Sequence, residues 1–156
     1  MTKIIISIVS ILLILFPFSS TLLGTYQQLT FPGVQEITSD IIDAVKSNDI
    51  EAIEDMFSEE TKKNLEDPQK EIRGFLQTID GEIIDAKYCR GTGEEDRSGA
   101  GYVYSFRGWI IKFETTEDTY FIQVNWIRAD TKSPQRVGMS SLLLYDTDDN
   151  RIAAIY

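Results

Sequence analysis

From Ile37 onward the apolar positions first recur with a helical period. Ile37, Ile41, Ala44 and Val45 stand at i, i+4, i+7 and i+8, with Ser39 and Asp40 placed to cap the segment. Asn48-Asp49 breaks it, and Ile50, Ile53 and Phe57 form the stripe of a short second helix. Ser58 is placed to cap a further turn toward Leu65. Asp67-Pro68 is a start signal, an N-cap acid before a proline at the first helical position, where no N–H is needed. The helix it predicts carries Ile72, Phe75, Leu76 and Ile79 on one face, and Asp80-Gly81 ends it.

After Gly81 the period falls to two, the alternation of a strand with one buried face. Ile84, Ala86 and Tyr88 alternate with Asp85 and Lys87. Gly91 to Gly101, rich in glycine and acids, reads as a flexible loop. Tyr102, Tyr104 and Phe106 then alternate, Gly108 interrupts the register like a bulge or bend, and Trp109, Ile111 and Phe113 resume it. Thr115 to Thr119 make a turn before Tyr120, Ile122, Val124 and Trp126. A loop from Arg128 to Arg136 contains Pro134, Val137 to Tyr145 is a further strand, and Asp146 to Asn150 turn into a last one, Arg151 to Tyr156. Helices first and hairpin-linked strands afterwards predict an α+β fold, with N-terminal helices packed on one face of a curved antiparallel sheet.

Ahead of this pattern lies a different one. Lys3 precedes an apolar run from Ile4 to Phe16 broken only by Ser7 and Ser10, and Pro17 and small residues follow. A charged tip, an apolar core and a small-residue region make a secretory signal. Counting Leu22 and Leu23, the run approaches the ~20 residues that span a bilayer, so an uncleaved signal anchor is the alternative. The expected organisation is residues 1–24 as signal peptide or anchor, 25–36 as tether and 37–156 as one domain. Leu22-Leu23-Gly24 stands where the lipidated bacterial box would place a cysteine next, but the next residue is Thr25, which has no thiol to lipidate.

Charge narrows the partners. The chain carries a formal −10, and after Gly24 the remaining 14 basic residues face 25 acidic ones. Such a domain is repelled by nucleic acid and by anionic lipid, so contact with a membrane is expected only through the N-terminal segment. A 42% hydrophobic content argues against a disordered acidic tail. With no histidine and only Cys89, the chain lacks the parts for a Ser-His-Asp or Cys-His machinery, a His-based zinc site or an internal disulfide. No catalytic residue, metal site or cofactor is assigned. Gly91-Thr92-Gly93 has acids rather than a helix behind it, which sets aside a phosphate loop, and Asp146 to Asn150 lacks the glycine of a calcium loop at Arg151.

The aromatic residues of the strands carry the one site expectation. Tyr88, Tyr102, Tyr104, Trp109 and Trp126 are placed to wall a concave pocket if the sheet bends at Gly108 and the helices close it. Asp85 and Glu114 would be among its polar groups. Asp85, Arg107, Glu114, Gln123, Asn125 and Arg128 are all expected on the alternation opposite these aromatics.

The stretch Ile41 to Asn64, IIDAVKSNDIEAIEDMFSEETKKN, is similar to the opening of nuclear-transport-factor-2-like domains. Phe75 to Tyr88, FLQTIDGEIIDAKY, followed by Tyr120 and by Asp130, Pro134, Gly138, Met139, Ser141 and Leu142, resembles the uncharacterised bacterial family called domain of unknown function 5104. The resemblance implies a nuclear-transport-factor-2-like cone and an envelope location, and it carries over no functional residues. Three functions are therefore expected in order. The first is an exported, non-enzymatic module that binds an unknown small ligand or protein partner. The second is an acidic interaction or immunity-type protein with a basic partner. The third is an isomerase or dehydratase using a pocket carboxylate, Asp85 or Glu114, beside Tyr102 or Tyr104. A free strand edge would also permit a homodimer.

Overall fold

A computed structural model of the chain describes residues 33–156. The apolar leader and residues 25–32 of the expected tether lie outside the described residues. Among the described residues four helices come first: α1 (Val34–Ser47), α2 (Ile50–Met56), α3 (Glu59–Asn64) and α4 (Pro68–Leu76). The caps read from the sequence do their work at α3 and α4, where Ser58 and Asp67 accept from the backbone N–H groups of Thr61 and Lys70. Asp49 caps α2 in the same way through Ala52. The first helix begins earlier than Ser39 and Asp40 suggest, at Val34 behind Gly33, so three residues of the expected tether are helical.

Five strands follow: β1 (Ile83–Gly99), β2 (Tyr102–Thr115), β3 (Thr119–Asp130), β4 (Gly138–Tyr145) and β5 (Arg151–Ile155). They form one antiparallel sheet in sequence order, a meander whose hairpins need no crossover. A short 3-10 turn, Pro134–Arg136, connects β3 to β4. Helices and sheet share one core. Ile37, Ile41, Val45, Ile53, Ile72 and Phe75 pack against Trp109, Ile111, Phe113, Ile122, Val124 and Leu144. Those strand residues lie two apart along β2, β3 and β4, so the helices cover a single face of the sheet. The expected α+β arrangement is present.

Two sequence expectations are corrected. Gly91 to Gly101 is not a flexible loop: β1 runs through to Gly99, and Glu94 to Gly99 pair residue for residue with Arg107 to Tyr102. Two faces of charged and aromatic side chains and a full set of ladder hydrogen bonds outweigh the low strand preference of glycine and acids. Nor does β2 bulge at Gly108. Its pairing with β3 continues unbroken from Arg107 to Glu114. The extra residues sit opposite, in β1, where register shifts fall between Tyr88 and Arg90 and between Gly91 and Gly93. Further shifts occur in the β2–β3 and β3–β4 ladders, and bulges of this kind bend and twist a sheet.

Candidate functional site

Two of the three register shifts in β1, those at Cys89 and Thr92, decide which side chains meet. Tyr88 stands opposite Ile111 on the helix-covered face. Cys89 is the extra residue of the first bulge, and it brings Gly91 opposite Trp109 on that same face. Thr92 is the extra residue of the second, and it sets Glu94 opposite Arg107. Asp96 follows two residues on, so two carboxylates flank one guanidinium. Trp109 is 1% exposed, yet its neighbour across the ladder at Gly91 has no side chain to pack beside it. The result is a cleft of about 600 Å³ between the start of α1 and β1–β2, lined by Val34, Gln35, Tyr88, Gly91, Gly93, Glu94, Arg107, Gly108 and Trp109. A side chain at Gly91 would meet no clash: its Cβ would lie in ordinary van der Waals contact, 3.6 Å from the Tyr88 hydroxyl and 3.8 Å from the Gly108 carbonyl oxygen.

The polar wall of the cleft is built around Arg107. Asp96 closes the end of the guanidinium with two hydrogen bonds, 2.9 Å from Nη1 and 2.7 Å from Nη2, and Nη1 also donates to the Phe106 carbonyl at 2.7 Å. These bonds hold the Asp96 carboxyl down at about 2, first through Arg107 and then through Ser105, and they push Arg107 above its ordinary value. The other side of the guanidinium is different. Among the described residues Nε faces only Glu94, 3.6 Å away, and that carboxylate is 78% exposed. Trp109 adds an unusual feature: its indole N–H is buried without a partner among the described residues. A buried unsatisfied donor costs about 1–3 kcal/mol, so it marks a place where packing was not arranged for stability alone.

Of the residues singled out from the sequence, the structure brings Tyr88 and Trp109 together in this cleft. Trp126 shares their face, opposite Arg107, but packs into the core beyond the cleft wall. Asp85 and Glu114 pair with each other in register on the uncovered face, where each meets a lysine, Lys87 and Lys112 respectively. Tyr102 and Tyr104 lie at the far end of β2, stacked under Lys132 and Arg97 at 4.5 and 6.0 Å. Burial raises the Tyr104 hydroxyl above its ordinary value. Neither pair of acid and tyrosine forms a common site, so the Asp85 or Glu114 base beside Tyr102 or Tyr104 is not assembled. Arg107, expected on the alternation away from the aromatics, instead shares the face of Trp109, because β2 runs unbroken through Gly108 and the two residues are two apart. Among the described residues no group of three or more His, Cys, Asp or Glu is arranged to hold a metal ion.

The family model described as Domain of unknown function (DUF5104) matches residues 40–147, more than half of the chain and most of the described domain. The chain belongs to that family. No curated protein matches the sequence.

Proposed function

We propose that this member of the DUF5104 family is an exported small-ligand-binding module of nuclear-transport-factor-2-like design, whose site is the cleft beside Trp109. The observation that carries the reading is the cleft itself. Its volume of about 600 Å³ falls in the range of small-molecule sites, and it joins an aromatic wall, Tyr88 and Trp109, to a few fixed polar groups. The bulged strand and the glycine opposite Trp109 keep this space open, although a larger residue at that position would fill it. Helices against one face of a curved antiparallel sheet support the nuclear-transport-factor-2-like design. The lysine-tipped apolar run from Ile4 supports export.

The test is a fragment screen on the full-length chain by thermal shift, repeated on Gly91→Val. Valine suits a strand and fills the cleft without altering charge. Hits that stabilise the wild-type chain and lose their effect in Gly91→Val are expected. Hits that stabilise both equally would place binding elsewhere. Export is tested separately by fusing residues 1–32 to a phosphatase active only outside the cytoplasm; an inactive fusion would remove that part of the reading.

A further inference from the structure

The cleft also carries information about the chemistry of its occupant, given that the reading above holds. A guanidinium has two edges able to grip a carboxylate with parallel hydrogen bonds. Asp96 fills the end edge of Arg107, and the Phe106 carbonyl takes the remaining proton of Nη1. What is left is the side edge, Nε–H with the second proton of Nη2. Among the described residues it faces only the Glu94 carboxylate, at 3.6 Å and beyond hydrogen-bond distance. This half-used fork lies in the wall of a cavity together with other donors. The first turn of α1 opens at Val34 and Gln35 behind Gly33, and among the described residues no side chain caps the amides of that helix start. Trp109, whose indole N–H is buried without a partner among the described residues, lines the same wall. The rest of the lining includes Val34, three glycines and the Tyr88 ring.

We propose that the cleft takes a small organic acid with an apolar or aromatic body, its carboxylate seated on the side edge of Arg107. Glu94 is the placeholder: the incoming carboxylate displaces it toward solvent, where it already largely lies. The body of the ligand packs against Tyr88 in the space left by Gly91. Asp96 is a positioning residue, holding the guanidinium plane so that its side edge faces the cleft.

The test uses nine probes, an acid, its primary amide and the corresponding amine on each of a phenyl, an indole and an octyl body. Binding to the full-length chain is measured by calorimetry. At least one acid is expected to bind ten times more tightly than its amide, with its amine weaker still. Glu94→Gln removes the competing carboxylate and should tighten acid binding at least threefold while leaving the amide unchanged. Arg107→Lys keeps the charge and loses the fork, and should weaken acid binding tenfold or more. If Arg107→Lys does not fold, the Glu94→Gln comparison still decides. Amides or amines that bind as tightly as the acids, in a manner lost in Gly91→Val, would overturn the acid assignment and leave the binding-module reading standing. Acid binding weakened by Glu94→Gln would also overturn it. Failure of all nine probes to bind, while fragment hits that are lost in Gly91→Val persist, would overturn the acid assignment alone; the absence of both would overturn the binding-module reading as well.

Discussion

Replacing Gly138 by alanine should be among the most damaging single-methyl changes in this domain. Gly138 opens β4 with φ +125°, a backbone conformation that L side chains rarely adopt. A Cβ there would sit 3.0 Å from the Ser58 amide nitrogen, 3.1 Å from the Met56 carbonyl oxygen and 3.1 Å from the Ser58 Cα. All three are main-chain atoms, so no rotamer change relieves the contact. The same spot ties the helices to the sheet: Ser58 N–H donates to the Met139 carbonyl at 3.0 Å, and Phe57 and Met139 form an isolated bridge. The unfavourable φ costs about 1–2 kcal/mol and the overpacking about 1–3 kcal/mol. The reduced entropy of the unfolded chain returns about 0.4–1 kcal/mol. A net loss of roughly 2–4 kcal/mol is expected, which for a domain of this size lowers Tm by roughly 6–16 °C. Gly74 supplies the control. It lies exposed within α4, and a Cβ added there would meet no atom of the described residues within 4 Å, so Gly74→Ala should stabilise by about 0.5–1 kcal/mol. Urea melts followed by circular dichroism would compare the three chains. A Gly138→Ala protein within 1 kcal/mol of wild type would refute the close approach of β4 to the α2–α3 junction.

Acid sensitivity should have an identifiable source in Asp96. Its folded carboxyl titrates at about 2 against an ordinary 3.8, so its contribution is complete above about pH 4 and is lost as pH falls toward 2. Because the side chain is 59% exposed, solvent screening reduces the contribution to about 0.5–1 kcal/mol. Asp96→Asn should flatten the stability profile between pH 4 and 2 by that amount, and an unchanged slope in urea melts would contradict the pairing. Asp67→Ala removes the side-chain acceptor for the Lys70 amide at the start of α4 and should cost about 1 kcal/mol in the same melts. Phe113→Ala empties a site that is 0% exposed under the helices and should cost about 3–5 kcal/mol; a smaller loss would mean that the core collapses around the cavity.

The helices and the pairing order of the strands were legible in the sequence because their signals are local. A capping serine at 58, Asp67-Pro68 and the period-two runs around Trp109 and Tyr120 each specify their element within a few residues. The cleft was only half legible. Tyr88 and Trp109 are legible as strand aromatics, but their meeting depends on the bulge at Cys89, and that of Glu94 with Arg107 on the bulge at Thr92, both set by how β1 pairs with β2. Glycines and acids from Gly91 to Gly99 look like a loop in isolation, and cross-strand pairing makes them a strand. The same long-range register fixes the face of Arg107. Reading Gly108 as a break turned that residue away from Trp109, whereas the simple spacing of two would have put the cation of the site beside its aromatic wall.

The central claim, that the cleft beside Trp109 is a binding site, can be tested through the two tryptophans of the chain. In a ¹⁵N-labelled full-length protein they give two indole N–H resonances, one from Trp109 in the cleft wall and one from Trp126 beyond it. Titration with the best acid from the probe set should move the Trp109 resonance in proportion to occupancy and leave that of Trp126 nearly still. A Trp109 resonance that stays fixed at saturation, or movement confined to Trp126, would contradict the assignment of the site.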